Sequence, residues 1–173
     1  MSSCHHGAWR ACFAAPRPPC AGCGLAVSFV RSPQEGPSAM PTPQEMLERF
    51  QDSYALGDET IDHTHREFLE LCLAAANAGG PEFAGAFKAL FEHTSRHFAD
   101  EEAKMQASGY PAFGEHRANH QRILGDMDRF CQRAVAGRAQ MARAWLNDSL
   151  PAWFDLHAKT MDSALVVYLR QQA

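Results

Sequence analysis

The sequence predicts an all-α protein, an antiparallel up-down-up-down four-helix bundle behind a disordered N-terminal extension. Three observations lead there. From residue 58 onward, apolar residues recur at the three- and four-residue spacing of a helix face. Breaks at "NAGGP", "SGYP" and Gly137 leave connections of only a few residues, which makes neighbouring helices antiparallel. No stretch shows the alternation of a strand.

The elements follow in chain order. Residues 1–44 hold most of the prolines, four of the six cysteines and almost no acidic residues. Segments such as "APRPPCAGCG" and "RSPQEGPSAMPTPQ" resist helix formation and bury too little apolar surface to offset the entropy of ordering. Cys4, His5 and His6 with Cys20 and Cys23 are zinc-type ligands, but the Pro-rich chain between them offers no compact fold to hold them. Gln34, Glu35 and Gly36 can be encoded by a run containing AGGAGG, which resembles a bacterial ribosome-binding site. Translation is therefore expected to start at Met40, leaving the leader untranslated; an intact mass beginning at Met1 would exclude this.

The bundle, residues 45–173, begins its first helix at about Asp58, with acidic residues in the opening turn, and ends it at Asn77. The second helix starts at Pro81, a residue favoured in a first turn, and stops at "SGYP". The third spans about Pro111 to Val135. The fourth spans about Ala139 to Leu169, and Pro151 inside it predicts a break near Leu150.

Composition narrows the function. A chain of 173 residues that is 46% hydrophobic suffices for one domain with a core. A net charge of -4 and a pI near 6.1 argue against nucleic acid and anionic membrane surfaces. No apolar run reaches the ~18 residues of a membrane span, and the apolar "GLAVSFV" lacks a signal peptide's basic start and cleavage site. A cytoplasmic protein is expected, with Cys72 and Cys131 as buried thiols and no structural disulfide.

The inward faces carry the chemistry. Helical spacing aligns His65, Leu69, Cys72 and Ala76 on the first helix, and Leu90, Thr94, His97, Glu101 and Met105 on the second. The third aligns His116, His120, Ile123, Met127 and Cys131; the fourth offers Trp153, His157 and Asp162. One histidine on an apolar face is ordinarily a hydrogen-bonded core residue. Five histidines and two carboxylates from four helices are different, because each buried ion without a partner costs several kcal/mol. A metal centre satisfies all seven, and imidazole with carboxylate suits iron, manganese or zinc. No cluster of inward thiolates accompanies these ligands, which argues against an iron–sulfur cluster. Ferritin-like Glu-x-x-His pairs are missing too, since the residues three before His93, His97, His116, His120 and His157 are Leu90, Thr94, Phe113, Arg117 and Phe154.

"IDHTH", "HFADEEAKM", "HRANH" and "WFDLHAKTMD" together resemble the hemerythrin family, and more narrowly its bacterial single-domain members, over about residues 50–170. The resemblance implies a non-haem di-iron site. One iron would be held by His116, His120 and His157 and the other by His65 and His97. Glu101 and Asp162 would bridge them together with an oxo or hydroxo group. Two ferrous ions, two carboxylates and one hydroxide leave a net charge of about +1, tolerable in a dry bundle. Reversible dioxygen binding for storage, delivery or sensing is the implied function. The alternative is a di-iron enzyme reducing peroxide or nitric oxide, which needs a proton donor; His93 is the one candidate outside the ligand set.

Two spacings strain the pattern. His157 and Asp162 are five apart, about 140° around a regular helix, so they are expected to straddle the inward seam. His93 shares the face of His97 but lies about 6 Å further along the axis, too far for the same ion, and His63 points to solvent or a rim. Phe68, Leu69, Ile123, Leu124 and Trp153 are expected to wall the oxygen pocket, although plain core packing would bury them equally well.

Overall fold

The computed structural model describes residues 41–172, all of whose regular structure is helical. The zinc-type ligands of the extension and the start at Met40 lie outside the described residues. Short helices α1 (Pro43–Glu48) and α2 (Phe50–Ser53) precede the long α3 (Glu59–Asn77), α4 (Glu82–Ser108) and α5 (Phe113–Val135). The last segment comprises α6 (Gln140–His157), a π-helical turn (Ala158–Asp162) and α7 (Ser163–Gln172). None of the described helices is long and apolar enough to cross a membrane.

Helix starts and stops have local causes. Thr42 caps α1 through a reciprocal pair with Glu45: the Thr42 N–H donates to Glu45 Oε2 at 2.7 Å, and Thr42 Oγ1 accepts from the Glu45 N–H. Asp58 caps α3 by accepting from the N–H groups of Thr60 and Ile61. Gly109 ends α4 at φ 66°, a left-handed conformation that a residue with a Cβ adopts only under strain.

The bundle boundary expected at residue 45 falls inside α1, and this arm was not anticipated. Met46, Phe50 and Tyr54 are fully buried, which contributes about 1.5–3 kcal/mol for each side chain. The Tyr54 hydroxyl donates to Asp155 Oδ1 at 2.6 Å, and its ring packs on Phe154. The arm therefore packs on the last turn of α6.

Two differences concern the last helical segment. Pro151 does not break α6, which runs unbroken through it and buries the pyrrolidine ring. The irregularity falls instead at Ala158–Asp162, a wide turn closed by bonds to the fifth residue. There Thr160 Oγ1 donates to the Leu156 carbonyl and Ser163 Oγ to the Lys159 carbonyl, side-chain bonds of the kind that bend helices.

Candidate metal centre

The wide turn resolves the awkward spacing on the last segment. One extra residue in a turn closes the angle between positions five apart, so His157 and Asp162 both face inward. His157 Nε2 lies 3.1 Å from Asp162 Oδ1. The other positions need no such device. His97 and Glu101 are one turn apart on α4, as are His116 and His120 on α5, and α3 supplies His65. All seven side chains are buried.

Their atoms form two overlapping groups. His116, His120 and His157 gather with Glu101 and Asp162, while His65 and His97 gather with Glu101. The carboxylates divide their oxygens between the histidine sets. Glu101 sends Oε1 to His97 Nε2 at 3.0 Å and Oε2 to His120 Nε2 at 3.4 Å. Asp162 sends Oδ2 to His65 Nε2 at 3.1 Å and Oδ1 to His116 and His157, each at 3.1 Å.

These short distances do not amount to a satisfied hydrogen-bond network. His65 Nε2, Glu101 Oε2 and both Asp162 oxygens are buried without a hydrogen-bond partner. The Nε2 atoms of His116 and His120 each lie 3.2 Å from His157 Nε2. Neutral imidazole nitrogens that face one another this closely cannot all be donors, and the lone pairs repel. Such an arrangement is costly for a protein interior, whereas a shared cation would satisfy it. The donors fit a pair of ions that take imidazole and carboxylate.

Protonation agrees with an anionic core. Burial and the nearby Asp162 push the Glu101 carboxyl upward, yet His97 and His120 hold it down at about 2. Burial likewise raises Asp162, but His116, His157 and His65 hold it well below the usual carboxylate range. His157 is lowered by burial, with His120 and His116 adding to the effect. His97 goes the other way: burial lowers it, but the charges of Glu101 and Asp162 raise it further. Around the centre, Glu102 Oε1 lies 3.3 Å from His120 Nδ1, and its other oxygen faces Arg117. A carboxylate accepts, so His120 carries its proton on Nδ1 and turns the Nε2 lone pair inward.

A narrow space adjoins the centre, lined by His65, His97, His157, Asp162, Phe68, Phe98, Trp153 and Phe154, and it has no room for a water-sized sphere. Of the expected wall, only Phe68 and Trp153 line it. Leu69, Ile123 and Leu124 do not line it, although Leu69 and Ile123 belong to the same apolar core as Phe68, while Phe98 and Phe154 do. Phe98 stacks on His120 at 3.8 Å between ring centres. Trp153 stacks on His157 and donates its indole N–H to Asn119 at 2.7 Å. His93 and His63 stay outside the centre. Burial, then the neighbouring His97, lowers the pKa of His93, whose Nε2–H donates to the Thr64 carbonyl at 3.2 Å.

Residues 56–169 match the family model of the hemerythrin HHE cation binding domain. A bacteriohemerythrin of Ralstonia nicotianae is 32% identical over 72% of this chain and 90% of its own length. A myohemerythrin of Sipunculus nudus is 31% identical, covering 71% of this chain and 91% of its own. A hemerythrin of Siphonosoma cumanense is 30% identical over 60% of this chain and 78% of its own. No solved structure is a comparable match.

Proposed function

The chain belongs to the hemerythrin family, a family of non-haem di-iron proteins, and on that premise we propose that it binds dioxygen reversibly, for storage, delivery or sensing. His116, His120 and His157 would hold one iron and His65 and His97 the other, with Glu101 and Asp162 shared between them. The observation that carries this reading is the division of each carboxylate, one oxygen to each histidine set. When bound, the iron pair supplies the electrons that dioxygen takes up. The chain's own part is to fix the donors and to keep water and stray protons away. Phe68, Phe98, Trp153 and Phe154 line the adjoining space and do the latter.

We read α3, α4, α5 and the α6–α7 segment as antiparallel neighbours, an up-down-up-down bundle. Arg143 near the start of α6 donates to the Ala78 and Gly79 carbonyls just past α3, and Arg170 near the end of α7 reaches the Leu56 carbonyl just before it. A cytoplasmic location belongs to the same proposal.

A peroxide- or nitric oxide-reducing enzyme would need a proton delivered to the site. His93, the one candidate, gives its N–H to a backbone carbonyl instead. Metal analysis and an optical spectrum in air test the reading. Two irons per chain, with visible ferric charge-transfer bands, are expected; a single zinc and no iron would overturn it.

A further inference from the structure

Trp153 stands between two cavities. On one side is the narrow space beside the centre, which it lines together with His157, Phe98 and Phe154. On the other is an outer pocket of about 110 Å³, which it lines together with His157, Asn119, Arg122, Leu156 and Thr160. Arg122, Leu156 and Thr160 are exposed, so the outer pocket opens to solvent. Trp153 and His157 are the residues common to both linings. His157 belongs to the buried ligand set, so the indole is the side chain that can move.

Three contacts hold the indole across that boundary. Its ring stacks on His157 at 4.6 Å between centres and meets Phe98 edge-on at 5.9 Å. Its N–H donates to Oδ1 of Asn119, which sits on α5 beside His120, at 2.7 Å. Ring contacts tolerate a tilt, whereas a hydrogen bond weakens steeply with angle and so fixes the ring. The inner space has no room for a water-sized sphere, so the indole can tilt only outward, into the outer pocket. Breaking the single bond between α5 and α6 opens the boundary, and the ring closes it again when the bond re-forms.

We propose that the outer pocket is the entrance by which a small guest such as dioxygen reaches the centre, and that Asn119 is a positioning residue that latches Trp153 across it. The proposal rests on the dioxygen-binding reading above. A latch that closes equally with and without a guest slows entry and exit by the same factor and leaves affinity alone. Asn119 touches no ligand atom and acts through the indole.

The test is stopped-flow mixing of the ferric, full-length protein with azide, a small anion that coordinates ferric iron, followed in the visible spectrum. Asn119→Leu keeps the size and removes the acceptor. Its association and dissociation rates should both rise by the same factor, roughly two- to ten-fold for one lost hydrogen bond, with Kd and iron content unchanged. Leu156→Trp, at the exposed mouth of the outer pocket, should slow both rates. Unchanged rates in either variant overturn the proposal, as does a shift in Kd carried by one rate alone. A preparation that never holds iron counts against the di-iron reading, and fluorine NMR of the same chain labelled with 5-fluorotryptophan then decides the entrance. Dissolved dioxygen is paramagnetic, and in Asn119→Leu it should relax the Trp153 signal faster while leaving that of Trp145, two turns earlier on α6, as it was. Equal relaxation of Trp153 in the variant and the unaltered chain overturns the latch.

Discussion

The two halves of the buried cluster differ in what they offer a cation. One gathers three imidazoles, with the Nε2 atoms of His116 and His120 each 3.2 Å from that of His157 and a carboxylate oxygen 3.1 Å from those of His116 and His157. The other has only His65 and His97, and the carboxylate oxygens it uses belong to groups shared with the first. The dry aromatic space lies beside the poorer half, touching both of its histidines but only His157 of the three. On the proposed assignment, an ion in the richer half would have more side-chain donors around it, whereas one in the poorer half would have fewer and would lie beside that narrow space. On the proposed function, this inequality, more than the number of ligands, is what would suit the centre to a small diatomic guest.

Substitutions can break or sharpen this contrast. Asp162→Ala should have the largest effect, because the carboxylate serves both halves; iron content measured after purification falls to near zero. His97→Ala should strip the poorer half and leave one iron per chain with no visible response to oxygen. Two irons retained in that variant would contradict the division. Glu102→Ala releases the far nitrogen of His120 and so acts on the richer half alone. Losses of metal affinity of roughly 10- to 100-fold follow loss of such a partner, measurable by competition with a chelator.

Trp153→Ala opens the wall of the narrow space without removing a donor, although it takes away the ring stacked on His157. Oxygenated protein should then convert to the ferric form several-fold faster, followed by its visible spectrum, with iron content intact. Tyr54→Phe is the mildest. It removes the bond to Asp155 at a cost of about 0.5–1.5 kcal/mol, read as a lower denaturation midpoint with unchanged iron.

The same contrast marks what could be read from the sequence. His97 with Glu101, and His116 with His120, sit at the period of a regular helix, so their faces were legible directly. His157 with Asp162 was legible as chemistry but not as geometry. Its angle came right only through a wide turn, which no side-chain pattern announced beyond Thr160 and Ser163 bonding back to the helix. Pro151 shows the converse: a strong local signal was overridden, since α6 runs through it unbroken with the residue buried. The α1–α2 arm was missed because six- and four-residue helices carry too little periodicity; its order comes from tertiary burial of Met46, Phe50 and Tyr54. The aromatic lining was half legible. Helical phase says which residues face inward, but not whether they meet the metal ligands or the apolar core, and so Leu69 and Ile123 could not be told from Phe98 and Phe154.

Reversibility at the poorer half is the central claim, and one measurement addresses it. The ferrous protein is exposed to oxygen, then flushed with argon without added reductant while its visible spectrum is followed. Return of the colourless ferrous spectrum over repeated cycles is the predicted result. Prompt and complete conversion to ferric protein, with no ferrous fraction recovered, would contradict it.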